Sequence, residues 1–135
     1  MKSMTNQYIN FIQNYCNNNT PITIEGDYFR YNEIRERLNE KAISEDRKEL
    51  ITALYTLIYS AINLNQFVKD NSLSNLSYYI LVSDYIYSYC SELLYKNKEA
   101  SLLKVFAGNA KMVLIDTLKG RDTSYFIETI LNNLN

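Results

Sequence analysis

Apolar side chains recur along this chain at the three- and four-residue spacing of helices. Tyr8, Ile12 and Tyr15 stand at i, i+4 and i+7, which predicts a helix from about Thr5 to Cys16 with those three on its buried face. Asn17-Asn-Asn-Thr-Pro21 ends it, because Asn and Pro both favour non-helical backbone. Ile22-Thr-Ile-Glu-Gly26 is the only strand-like alternation, and it is too short to build a sheet. Asp27 is placed to cap a second helix to about Leu38, with Tyr31, Ile34 and Leu38 turned inward.

Ser44 opens the longest predicted helix, to about Asp70. Its first turns hold Glu45, Asp46 and Glu49, where the helix dipole favours acids. Its buried face is Leu50, Leu54, Leu57, Ile58, Ala61 and Val68. A fourth helix runs from about Asn75 to Lys96 and a fifth from about Lys98 to Leu118. Gly120 stands where the left-handed residue past that end belongs, and Lys119 complements the dipole. Asp122 or Thr123 caps a last helix whose apolar face is Phe126, Ile127, Ile130, Leu131 and Leu134. The expected fold is one all-α domain over residues 1–135, a single bundle of about six helices.

The fourth helix departs from the usual amphipathic pattern. At 100° per residue, Ser77, Asp84, Ser88 and Ser91 fall within about a 60° stripe, and nearly everything else before Lys96 is Tyr, Ile, Leu, Val or Cys. Such a helix is either a core helix whose narrow stripe meets solvent or a helix shared between two chains. Length bears on the choice. The third helix would be about 40 Å long and the fourth about 33 Å, against a radius of gyration of roughly 14 Å for a globule of this size. Few other helices remain to cover them, so apolar side surface is expected on the monomer.

Composition narrows the chemistry. The chain has 135 residues, 47% of them hydrophobic, with 3 Gly, 1 Pro and a net charge of −1, a folded domain without the basic stripe a nucleic-acid binder needs. Zero His excludes Ser-His-Asp and Cys-His nucleophile activation and any His-containing zinc site. Cys16 and Cys90 are too few for a disulfide framework, and the polar N-terminus, Met1-Lys-Ser-Met-Thr-Asn-Gln, is unlike a signal peptide. A cytoplasmic location follows as the expectation. The apolar run Ile51 to Ile62 is too short and too polar to span a bilayer. Seven of the 13 Tyr lie between Tyr55 and Tyr89, which marks the third and fourth helices as a candidate partner surface.

The segment Leu81-Val-Ser-Asp84-Tyr85-Ile-Tyr-Ser-Tyr-Cys-Ser-Glu-Leu-Leu94 resembles the L-x-G-D-Y-L … E-L-L helix of trans-polyprenyl diphosphate synthases, with Ser83 where the family has Gly. Leu57–Val68 occupies the place of the helix carrying that family's first aspartate-rich motif, and Leu102–Met112 is similar to the helix that follows. The likeness covers about residues 50 to 118. It implies an isoprenoid-synthase-like fold, here truncated, with the fourth helix at a subunit interface. The family's enzymes hold magnesium with two DDxxD motifs; this chain has no Asp-Asp, and Asn63, Asn65 and Gln66 stand where the first motif would be. Neutral amides lack the charge to hold divalent ions against a diphosphate. Short length and a missing metal motif are similar to the non-catalytic small subunit of heterodimeric hexaprenyl and heptaprenyl diphosphate synthases, which serve isoprenoid quinone side-chain synthesis.

The other candidates for chemistry are weaker. Glu45-Asp46-Arg-Lys-Glu49 has acids at i, i+1 and i+4, but Arg47 and Lys48 are interleaved and a helix start explains the acids. Asp84, a lone carboxylate among Tyr and Leu, reads as a structural or interface group; Cys90 reads as a core thiol, and Lys104 and Lys111 as solvated. No catalytic residue, metal ligand or cofactor is therefore assigned to this chain. The resemblance places magnesium on a large catalytic partner subunit. The expected partner surface is Tyr78, Leu81, Val82, Asp84, Tyr85, Ser88 and Tyr89, with Tyr55, Tyr59 and Ile62 from the third helix, and it would also help wall the product tunnel. A homodimeric helical adaptor, unrelated to isoprenoids, remains open as the alternative.

Overall fold

The computed structural model describes residues 6–68 and 73–134, with side chains described for 6–64 and 76–134. The chain is all-α, with six helices and no strand among the described residues. These are α1 (Gln7–Asn19), α2 (Tyr28–Asn39), α3 (Glu45–Val68), α4 (Leu73–Lys96), α5 (Ala100–Leu118) and α6 (Ser124–Leu131). They divide into two compact units, one ending at Ile86 and one beginning at Tyr87.

In the first unit, α1 and α2 pack on α3. Asn6 starts α1: its carboxamide oxygen accepts from the backbone of Tyr8 at 3.0 Å and Ile9 at 3.2 Å, and its Nδ2 donates to the Glu49 carbonyl at 2.9 Å. One buried side chain thus caps α1 and ties it to α3, a double role that helical periodicity does not signal. The buried face of α1 is Ile9, Ile12 and Cys16. This corrects the predicted phase, because Tyr15 faces outward at 46% exposure and Tyr8 is only half-buried. Tyr15 is a large residue with a polar tip, and the shorter Cys16 fits the space against the core.

The alternation at Ile22–Gly26 is realised without a sheet. Ile22 and Ile24 are buried and Thr23 and Glu25 exposed, so the extended segment docks one side on the helices. Both backbone groups of Ile24 bond to α1: its N–H donates to Asn17 Oδ1 at 3.2 Å, and its carbonyl accepts from Gln13 at 3.4 Å. Asp27 then caps α2, accepting from Arg30 N–H at 3.0 Å. Ile34 and Leu38 are buried as expected, with Tyr31 half-buried.

Ser44 caps α3 through Arg47 N–H at 3.2 Å. Every residue from Leu50 to Ile62 is buried, so α3 is covered on all sides and has no solvent face over that stretch. Thr52, Thr56 and Ser60 are carried there safely because each hydroxyl donates to the carbonyl one turn back, at 2.6, 2.7 and 3.1 Å. Ser83 of α4 reaches the Ala61 carbonyl at 3.3 Å, a close approach of α4 to α3 that a small residue permits. The expectations for Val68 and Asp70 fall outside the described side chains and residues.

In the second unit, α5 and α6 pack together, with Phe106 edge-on to Phe126 at 5.3 Å. Phe126, Ile127, Ile130 and Leu131 are buried, as is Leu134 just beyond α6. Gly120 has φ +70°, the left-handed conformation expected past α5. Thr123 occupies the N-cap position of α6 without a side-chain cap bond, while Asp122 accepts from Ser124 N–H at 3.0 Å. The turn between α4 and α5 was not legible in the pattern. It places Lys98 at φ +58°, and Glu99 N–H donates back to the Leu94 carbonyl at 2.9 Å.

Candidate functional site: an aromatic face on two helices

Two sides of α4 are distinguished by burial. Over its first half, Val82, Ser83 and Ile86 are buried, while Tyr78, Ile80 and Leu81 are 40%, 45% and 62% exposed. Asp84 is exposed and Tyr85 half-buried. The polar stripe read from the sequence therefore runs down the middle of an exposed arc whose borders are apolar. Tyr78, Leu81 and Tyr85 form one border at i, i+3 and i+7. In the second half, Ser88 is exposed, Tyr89 half-buried and Cys90 buried.

The Tyr85 border is continued by α1. The Tyr15 ring lies 5.0 Å from that of Tyr85, and Phe11 stacks on Tyr15 at 6.5 Å. Phe11 is 52% exposed, so three rings from two helices line an open face. The periodicity that assigned Tyr15 to the core hid this contribution. The signal that would have found it is the complete absence of ionised side chains from α1, in a chain that is 21% charged. A face that is aromatic and depleted of charge has the composition of the centre of a protein interface.

Four of the ten residues expected at a partner surface are already covered by this chain: Tyr55, Tyr59, Ile62 and Val82 are each under 5% exposed. Tyr55 and Tyr59 are consumed by α2. The Tyr55 hydroxyl donates to Glu33 Oε1 at 2.6 Å, and Arg30 donates to the same oxygen at 3.0 Å. The Arg30 guanidinium lies 4.0 Å over the Tyr59 ring, and the two tyrosine rings meet edge-on at 5.1 Å. Burial, and then the Glu33 hydrogen bond, push the Tyr55 hydroxyl far above the ordinary tyrosine range. The clustering of Tyr on two long helices thus has two causes, an internal network on α3 and an open face on α4.

The acids and amides fall elsewhere. Asn63 is half-buried and donates to Asp27 Oδ2 at 3.5 Å, beside a cavity of about 460 Å³ also lined by Glu25, Ser60 and Leu64. Asn65 and Gln66 lie outside the described side chains. In the acidic run at the start of α3, Glu45 pairs with Arg35 and, at 3.3 Å, with Lys48, while Glu49 accepts from Gln7 at 2.9 Å. The Arg35 hydrogen bond holds the Glu45 carboxyl below its usual range. No group of three or more acidic, Cys or His side chains is placed to hold a metal ion among the described residues. Cys16 and Cys90 are buried free thiols; burial raises both pKa values, that of Cys90 to about 12. Lys104 and Lys111 are exposed on α5. No helix among the described residues is long and apolar enough to cross a membrane.

The arrangement is suited to binding another surface. Comparison with protein-family models, with curated proteins and with solved structures finds no match to this chain.

Proposed function

We propose that this chain is the non-catalytic small subunit of a two-component trans-polyprenyl diphosphate synthase. Its partner is a cytoplasmic large subunit that carries the DDxxD motifs, the magnesium ions and both diphosphates. The observation that carries this reading is the open apolar side of α4: Tyr78, Leu81 and Tyr85 are exposed or half-exposed on the stretch that resembles the family's interface helix. Two further positions support it. Ser83 stands where the family has Gly and faces the Ala61 backbone, so a small residue is used at the same place. Asn63, at the position of the first metal motif, pairs its amide with Asp27 and adds no carboxylate of its own. The small subunit would cover the apolar helices of the large one and help wall the tunnel into which the prenyl chain grows.

The test is reconstitution. The purified chain alone is expected to have no prenyl transfer activity with an allylic diphosphate, isopentenyl diphosphate and magnesium. Added to a large subunit of such a synthase, it should co-elute with it and lengthen its product. A large subunit that neither binds the chain nor changes its product would overturn the reading. A tight homodimer with no such complex would favour the helical adaptor.

A further inference from the structure

The face formed by α1 and the first half of α4 has an electrostatic property that restricts what covers it. None of the 13 residues of α1 is ionised, and its outward side chains are amides and rings: Asn10, Phe11, Asn14 and Tyr15 among them. Between Leu76 and Ile86 of α4 the sole charged residue is Asp84. It is exposed, and no cation pairs with it among the described residues. On these two described helix stretches one carboxylate therefore sits among otherwise neutral, largely aromatic and amide side chains.

Such a charge matters little in water and a great deal once covered. Burying an ionised carboxylate without a partner is costly, whereas a cation placed opposite turns the same group into an orienting contact. A two-fold contact between copies of this chain, centred on this face, would bring Asp84 toward its own equivalent and leave both without a counter-charge. A different chain suffers no such restriction.

We propose that this face takes an apolar helical surface of a different chain that presents a single Arg or Lys opposite Asp84, and that the same carboxylate keeps two copies of this chain apart. The inference deepens the proposed function, and rests on it for the identity of the partner. It adds α1 to the docking surface and assigns selection to one residue.

The experiment has two arms. In the first, the full chain alone is followed by light scattering across concentration, as wild type, Asp84→Asn and Tyr15→Lys, with circular dichroism to check the fold. The wild type is expected to be monomeric, and Asp84→Asn to self-associate at a concentration at least about tenfold lower. A wild-type dimer that Tyr15→Lys dissociates, or an Asp84→Asn variant that behaves as wild type, would overturn the inference. In the second arm, binding to the large synthase subunit is titrated at low and high salt. Asp84→Lys and Tyr15→Lys are each expected to weaken the complex by about tenfold or more, and the wild-type complex to weaken with salt. Unchanged binding by both variants overturns the inference and leaves the small-subunit reading standing. No binding by the wild type overturns that reading, and the first arm still decides the inference.

Discussion

α3 and α4 are matched in length, 24 residues each, and both are apolar around most of their circumference, yet they have opposite fates. α3 is buried at every position from Leu50 to Ile62, with α1 and α2 packed on it and α4 in close approach at Ser83. α4 leaves Tyr78, Ile80 and Leu81 in solvent. Apolar content alone does not make a helix central; the number of elements available to cover it does. A helix left half-covered keeps apolar side chains in solvent, and on α4 that surface is the proposed docking face.

The comparison can be broken most sharply at Cys90, on the covered side of α4. Its thiol is buried, and burial raises its pKa to about 12, so almost none of it is thiolate at pH 8. Cys90 should resist a thiol-specific disulfide reagent at pH 8 until denaturant is added. Rapid labelling of the native chain would mean that neither side of α4 is sealed. Next in size is truncation on the two helices. Leu54→Ala removes a side chain with no exposure and should destabilise by about 3 kcal/mol in urea unfolding, whereas Leu81→Ala on the open side should cost less than about 0.5 kcal/mol. Equal costs would remove the distinction between the helices.

A smaller effect tests the network that withdrew the α3 tyrosines from the surface. Tyr55→Phe deletes the 2.6 Å donation to Glu33 and should cost about 1.5 kcal/mol. The same hydroxyl has its pKa raised in the folded state, so it binds its proton more tightly there than in the unfolded chain. Its contribution is full below the unfolded value of about 10 and is lost as pH rises above that. Stability of the wild type should therefore fall more steeply between pH 9 and 11 than that of Tyr55→Phe. The smallest effect lies where α4 ends. Lys98 holds φ +58°, a conformation that suits glycine, and Lys98→Gly should raise stability by up to about 1 kcal/mol in the same unfolding assay.

Much of the fold was legible because its signals are local. Asp27 and Ser44 cap the helices they were expected to cap, and Gly120 takes the left-handed conformation past α5. A side chain two or three residues from a free N–H makes these contacts whatever the rest of the chain does. The site was legible in part. Tyr78, Leu81, Asp84, Tyr85, Ser88 and Tyr89 are exposed or half-buried, but Tyr55, Tyr59, Ile62 and Val82 are enclosed; Phe11 carries no periodic signal, and the periodicity assigns the exposed Tyr15 to the core. Arg30 and Glu33 explain the first error, since charged residues on α2 gave no sign that they would bend over two tyrosines of α3. The second has its origin in phase: Tyr15 and Cys16 are adjacent, and a rotation of one residue about α1 exchanges core for surface.

By itself, then, the sequence determined six helices, the caps at Asp27 and Ser44 and the left-handed Gly120, a strand-like stretch too short for a sheet, and two long apolar helices with few others to cover them. Those are consequences of backbone hydrogen bonding, side-chain period and chain length. Only the tertiary structure decided which long helix is enclosed, which tyrosines are spent on the interior, and that α1 turns its rings beside those of α4. A helix that is apolar nearly all round has no preferred direction for its neighbours to read. Its exposed side is set by how many other elements reach it, and that is a property of the packed chain.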